Sequence, residues 1–246
     1  MSRMTGIAAA VILGAVSGIV GTGFGGVVAA VYREPDRGAF AAMMGFSAGM
    51  MFAVTVFDLL PESLSVSPGP GALGAVAGIT SMLLADSLIH YSTTHGSRGG
   101  QEYVQTGLVV GLGIAAHNFA EGLAVGAGYA ATARLGTQIA IIIGLHDVPE
   151  GMALATMLRL GRVRRLAVVA AAAASGLPMA AGALVGAAIG RLSWAGLAVS
   201  LGSAGGAMLF VTEHLLREGM SLHYEAPLVQ GAILGLAAGA FLTAAL

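Results

Sequence analysis

The sequence predicts an all-α integral membrane protein of eight transmembrane helices. Three observations point there: 57% of the 246 residues are hydrophobic, only 9% are charged, and the mean hydropathy is +0.87. A water-soluble domain carries about 25% Asp, Glu, Lys and Arg, so this chain lacks the residues to coat a wetted surface, which excludes a soluble enzyme. A helix needs roughly 20 apolar residues to span a bilayer, and such runs alternate here with short segments holding most of the Arg, Pro and polar residues. Closed β-barrels also span membranes, but their strands alternate apolar and polar residues over about 10 positions. Runs such as 139–143 and 168–174 are continuously apolar, as helices are.

Taken in order, the first helix is 4–31. Arg3 before it suggests a secretory leader, but the run far exceeds an apolar core of about 7–15 residues, so it reads as a retained helix. The others are 39–60, 71–89, 104–131, 138–157, 166–189, 195–216 and 226–246, making 1–246 a single polytopic domain. Gly is 39 of the residues, in series such as Gly107, Gly111, Gly113 and Gly182, Gly186, Gly190, which suit close helix packing. All eleven basic residues are Arg. Arg33, Arg37, Arg98, Arg159, Arg162, Arg164, Arg165 and Arg217 follow helices 1, 3, 5 and 7, against Arg3, Arg134 and Arg191 on the other side. The excess marks the cytoplasmic face and predicts both termini outside the cytoplasm. The expected location is multi-pass in the cell (inner) membrane. Net charge of −1 argues against nucleic acid, and the absence of Cys removes disulfides and thiolate metal sites.

Two internal echoes suggest inverted-repeat character. Residues 47–63 align without gaps on 203–219, sharing Ser-Ala-Gly, Leu-Leu and Glu. His117-Asn118-Phe119-Ala120-Glu121-Gly122 is echoed more sharply by His146-Asp147-Val148-Pro149-Glu150-Gly151. Each pair joins helices of opposite direction, the pattern by which transporters build two related faces around a midplane site.

The second echo places His117, Asn118, Glu121, His146, Asp147 and Glu150 near the middle of helices 4 and 5. An ionisable side chain at bilayer depth costs about 2.5–3.5 kcal/mol, and no Arg or Lys lies at that depth to compensate. A divalent cation can. Positions i and i+4 share a helix face, so His117 with Glu121 and His146 with Glu150 present two imidazoles and two carboxylates, a set suited to Zn²⁺ and other first-row ions. Asn118 and Asp147, sharing Glu121 and Glu150, offer room for a second ion. Pro149 cannot donate to the carbonyl of Leu145 and loosens helix 5 beside its ligands. A proton-translocating protein using the same cluster is one alternative. An intramembrane zinc metalloprotease is another, although the helical signature H-E-x-x-H is absent. A structural or sensory membrane protein is a third.

HNFAEG and HDVPEG resemble the paired helix 4 and helix 5 motifs of the ZIP (Zrt/Irt-like) metal transporters, and the chain is similar to their short prokaryotic GufA-type branch. The resemblance covers essentially the whole chain. It implies an importer, not an enzyme, carrying Zn²⁺ and often Fe²⁺, Mn²⁺ or Cd²⁺ as substrate, with no separate cofactor, commonly as a homodimer. It implies a binuclear centre, His117, Glu121, His146 and Glu150 on one ion and Asn118, Glu121, Asp147 and Glu150 on the other. It also implies an elevator-like cycle of helices 1, 4, 5 and 6 against helices 2, 3, 7 and 8. Three departures stand out. Ala120 replaces a usual Pro, Met179 stands where helix 6 often carries Glu, and helix 7 reads Glu213-His214 with Arg217 in place of Pro.

Asp58 and Glu62 at the outer end of helix 2, and Glu213, His214 and Glu218 at the inner end of helix 7, are expected as pathway residues, since carboxylates at a mouth concentrate cations. Asp86, His90 and His95 border the loop after helix 3. Met50 and Met51 are expected in the core rather than at the site.

Overall fold

The structure is a computed structural model that describes residues 3–31, 36–93, 100–190 and 192–245. Within those helices it leaves undescribed the side chains of 3, 4, 85, 88–93, 100–110, 113, 117, 160 and 245. The described residues form helices and no strand. They make eight rods: α1 (Arg3–Val31), α2 (Arg37–Val66), α3 (Pro68–Thr93), α4 (Gly100–Ala131), α5 (Ala133–Leu160), α6 (Arg165–Gly190), α7 (Trp194–Ser221) and α8 (Glu225–Ala245). Six of them are long and apolar enough to cross a membrane, and the apolar part of α3, Pro68–Leu84, is a shorter seventh. The chain is a multi-pass membrane protein, and its outward side chains agree: Val20, Phe24, Leu83, Leu112, Ile233 and Phe241 are exposed, a surface that lipid solvates and water does not.

The rods outrun the apolar stretches because the latter measure the bilayer, whereas a helix continues into polar residues. Their starts follow ordinary capping chemistry. Asp36 accepts from the Ala39 N–H at 3.2 Å, Thr132 from Leu135 at 3.0 Å, and Ser193 from Gly196 at 2.9 Å, each satisfying one of the donors a first turn leaves open. Two rods depart from the expected continuity. In α2, Thr55–Leu59 winds as a π-helix between regular helix on either side. In α6, expected as one helix over 166–189, Arg165–Ser175 and Pro178–Gly190 are separate because Pro178 cannot donate to the preceding turn.

Glycine sets how the rods pair. At each of these positions a Cβ would overlap a neighbouring helix: Gly21 meets Asp147 and Gly25 the carbonyl of Val148, so α1 runs parallel to α5. Gly45 meets the carbonyl of Leu228 and Gly49 that of Ala232, pairing α2 with α8. Gly74 meets Val199 and Gly78 the carbonyl of Ser203, pairing α3 with α7. Gly122 meets the carbonyl of Met179 and Gly126 that of Ala183, pairing α4 with the second half of α6. Helices joined without side chains between them gain dispersion contacts over their whole length. Exchanging α1 with α6, α2 with α7, α3 with α8 and α4 with α5 turns every one of these pairs into another. The closest packing falls within two sets, α1 with α4, α5 and α6, and α2 with α3, α7 and α8, which meet chiefly where α2 faces α5 and α7 faces α4. Met50, Met51 and Met179 are fully buried in the core, the place expected for the first two.

Candidate metal site

The turn between α4 and α5 is a single residue, Thr132, so the two helices form a tight antiparallel hairpin whose register has no slack. Gly136 lies against Tyr129, and Gly111 against Leu154. Facing residues therefore have numbers that add to about 265, the rule that brings Glu121 to His146. At 1.5 Å per residue both lie roughly 15–20 Å from the turn, the middle of a bilayer about 30 Å thick.

The side chains converge. One Nε2 or Nδ1 atom of His146 and one carboxylate oxygen each of Glu121 and Glu150 all lie within 4.8 Å of one another. His146 Nε2 is 2.6 Å from Glu121 Oε1 and 3.6 Å from Asp147 Oδ1. Asn118, His146 and Asp147 have no exposed surface at all, and Glu121 and Glu150 are 1% and 3% exposed. The burial leaves acceptors over: Asn118 Oδ1, Glu121 Oε2, His146 Nδ1 and both oxygens of Asp147 have no hydrogen-bond partner. Orphaned carboxylate oxygens this deep cost several kcal/mol each unless an ion takes them up. The same register puts position 117 opposite Glu150, although the His117 side chain lies outside the described residues.

The surroundings hold this cluster in place. Asn118 Nδ2 donates to the Ser175 carbonyl at 2.9 Å, and Ser47 Oγ of α2 donates to the His146 carbonyl at 3.0 Å. α1 closes the back, with Gly21 against Asp147 and the Thr22 carbonyl against Gly151. Gly21, Ser47 and Ser175 escape a reading of the sequence, because each acts through a close approach or a backbone carbonyl that no motif announces. Ala120 leaves α4 an unbroken helix over Gly100–Ala131, while α5 keeps Pro149 inside it.

The other expected residues do not join the cluster. Asp58 lies in the π-helical turn of α2, half-buried with Oδ2 out of contact with any donor, and Glu62 follows one turn later. Ser63 beside them bonds the Ala198 carbonyl near the start of α7, so this is the end of the α2–α7 pair opposite Glu213, His214 and Glu218. There Glu213 accepts from Arg217 at 2.5 and 3.0 Å, His214 Nε2 stands 3.4 Å from Glu218, and the His214 ring stacks on Phe210. Of the residues expected to border the loop after helix 3, Asp86 lies within α3 and is partly buried, while the side chain of His90 and all of His95 lie outside the described residues.

Residues 89–216, which include both α4 and α5, match the family model described as ZIP Zinc transporter. The chain belongs to the ZIP family. It is similar to Zinc transporter ZIPB of Bordetella bronchiseptica, 34% identical across 96% of this chain and 81% of the relative. It also resembles Zinc transporter ZupT of Corynebacterium aurimucosum, 31% identical over 67% of the chain and 69% of the relative, and Zinc transporter GufA of Myxococcus xanthus, 29% identical over 78% and 81%. ZIP membership places the chain among transporters of divalent metal, with the metal as cargo rather than cofactor, and not among proteases.

Proposed function

We propose that this protein carries Zn²⁺, and with it other first-row divalent ions, into the cell through a two-ion site between α4 and α5. The observation that carries the reading is the convergence of Glu121, His146 and Glu150, buried at mid-helix, on two helices whose only cationic side chains are Arg134 and Arg159 near the ends of α5. In a tetrahedral Zn²⁺ site with ligands at about 2.0–2.1 Å, ligand atoms stand roughly 3.3 Å apart. The His146–Glu121 pair, at 2.6 Å, opens slightly to reach that spacing. Both ligands bind metal in their deprotonated forms, so the ion replaces the hydrogen bond between Nε2 and Oε1. Two carboxylates cancel the ion's charge, so the loaded site meets a smaller barrier in the hydrocarbon than an ionised empty one.

His117 completes the first ion's ligands. Asn118, Glu121, Asp147 and Glu150 hold the second, to which the buried thioether of Met179 brings no charge. Transport follows from displacement of α1, α4, α5 and α6 as one body past α2, α3, α7 and α8. The glycine contacts that bind each set internally support this division; among the described residues, polar ties that cross between the sets include Ser47 to His146, and Gln138 Nε2 to the Thr243 carbonyl at 3.2 Å. Asp58 and Glu62 gather cations at the outer mouth, and His214 with Glu218 receives them at the inner one. Eight crossings with both termini outside the cytoplasm, an inverted repeat, and a homodimer in the inner membrane complete the proposal.

The test is initial Zn²⁺ uptake into liposomes holding the purified chain, beside Glu150→Ala. Saturable uptake that collapses in the variant is the expected result. If neither protein moves zinc and calorimetry detects no Zn²⁺ binding, the cluster is not a metal site, and proton movement by the same groups becomes the reading to pursue.

A further inference from the structure

The break in α6 lies against the site and has a chemical consequence there. Around it the backbone bonds shorten to i+3: Gly176 donates to Ala173, Leu177 to Ala174, Met179 to Gly176 and Ala180 to Leu177. The Ser175 carbonyl is passed over. Pro178 has no N–H to offer it, and the Met179 N–H that would close a regular turn on it goes to Gly176 at 3.2 Å. Asn118 Nδ2 fills that position at 2.9 Å. An amide is planar, with donor and acceptor on opposite branches, so fastening Nδ2 to Ser175 fixes where Oδ1 points. That oxygen is fully buried and accepts no hydrogen bond, one helical turn from Glu121 and on the face that meets Asp147.

We propose that Pro178 is a positioning residue for the second metal ion: by keeping α6 broken it leaves the Ser175 carbonyl open to the Asn118 amide, which turns the amide oxygen toward the metal. The inference rests on the two-ion reading above. It makes the neutral Asn118 a directed ligand in a chain whose residue 179 is Met rather than a carboxylate. It also ties α6 to the ligands of α4, so the two travel together when the set moves.

The experiment is Zn²⁺ titration by isothermal calorimetry of the full chain in detergent, on wild type, Pro178→Ala, Asn118→Ala and the double variant, each first checked for a cooperative melt. Pro178→Ala restores a backbone donor and lets α6 close on the Ser175 carbonyl. The wild type should take up two ions. Pro178→Ala should weaken the weaker one about fivefold, the worth of one net hydrogen bond, and leave the tighter one unchanged. In the Asn118→Ala background the same substitution should do nothing more, since the two act through one bond. Equal weakening in both backgrounds, or none in either, overturns the proposal. A wild type that binds a single ion overturns the two-ion reading, and this inference with it. Asn118→Asp serves where Pro178→Ala does not fold. It adds negative charge but cannot donate to Ser175, so it should also weaken the second ion, and a tighter second ion would overturn the positioning role.

Discussion

α5 and α7 are both 28 residues long, both are capped at the start by a hydroxyl, from Thr132 and Ser193, and both lie parallel to a partner through glycine. Each also carries a cluster of acids and histidine, His146, Asp147 and Glu150 on one, Glu213, His214 and Glu218 on the other. The difference is depth. On α7 the cluster occupies the last turns, where Glu213 and Arg217 are 55% and 72% exposed and pair within their own helix, as His214 and Glu218 do. On α5 it sits mid-helix with no Arg beside it: His146 turns to Glu121 of α4, and both oxygens of Asp147 lack a hydrogen-bond donor. Charged groups near water find partners locally at little cost. The same groups at bilayer depth have to be completed from another helix or by an ion, so function concentrates where local satisfaction fails.

The largest effect that tests this contrast is expected from Glu121→Ala set beside Glu213→Ala, read as Zn²⁺ uptake per folded protein. The first should cut uptake about a hundredfold, since losing even an outer partner of a metal ligand costs 10–100-fold. The second should change it by no more than about twofold, as for exposed ion pairs generally. Comparable losses would erase the distinction between the two helices.

Next comes a pair of crowded glycines with unlike neighbours. A Cβ on Gly21 would stand 2.6 Å from Cβ of Asp147, and one on Gly78 would overlap the Ser203 carbonyl in the other set. Both alanine variants should lose about 1–3 kcal/mol of stability to overpacking, seen as lowered Tm. Only Gly21→Ala should also weaken Zn²⁺ binding, by about tenfold if Asp147 is pushed off position. Tm shifts without that split would mean that α1 merely packs.

A smaller effect is expected at the tie between the sets. Ser47→Ala removes the hydrogen bond to the His146 carbonyl and should lower Zn²⁺ affinity about fivefold, while Ser47→Thr, which keeps the hydroxyl, should retain it. Smallest is Asp58→Asn, expected to raise the KM for Zn²⁺ about threefold with kcat unchanged, and less so at high salt, because a mouth carboxylate acts by concentrating cations. A fall in kcat there would move Asp58 from the mouth to the translocation step.

Much of this was legible in the sequence. Burial needs only composition and run length, so the helical rods and their order follow from where apolar residues stop and start. The buried cluster is legible too, because a His and a Glu four apart, repeated on two apolar helices without an Arg at that depth, cannot be left alone in hydrocarbon. Their meeting depends on one short feature, the single-residue turn at Thr132, which converts sequence spacing into facing positions.

What the sequence could not state is which helices lie side by side. Glycine in every rod announces close packing but names no partner, because a missing side chain suits any backbone that approaches it. Only the tertiary structure sorts the rods into two sets and sets Gly21 against Asp147. Only it shows that α6 breaks at Pro178, since proline in a membrane helix is tolerated wherever the freed carbonyl finds another donor, and that donor, Asn118, is 57 residues away. Local chemistry decided which groups have to be satisfied; long-range packing decided by whom.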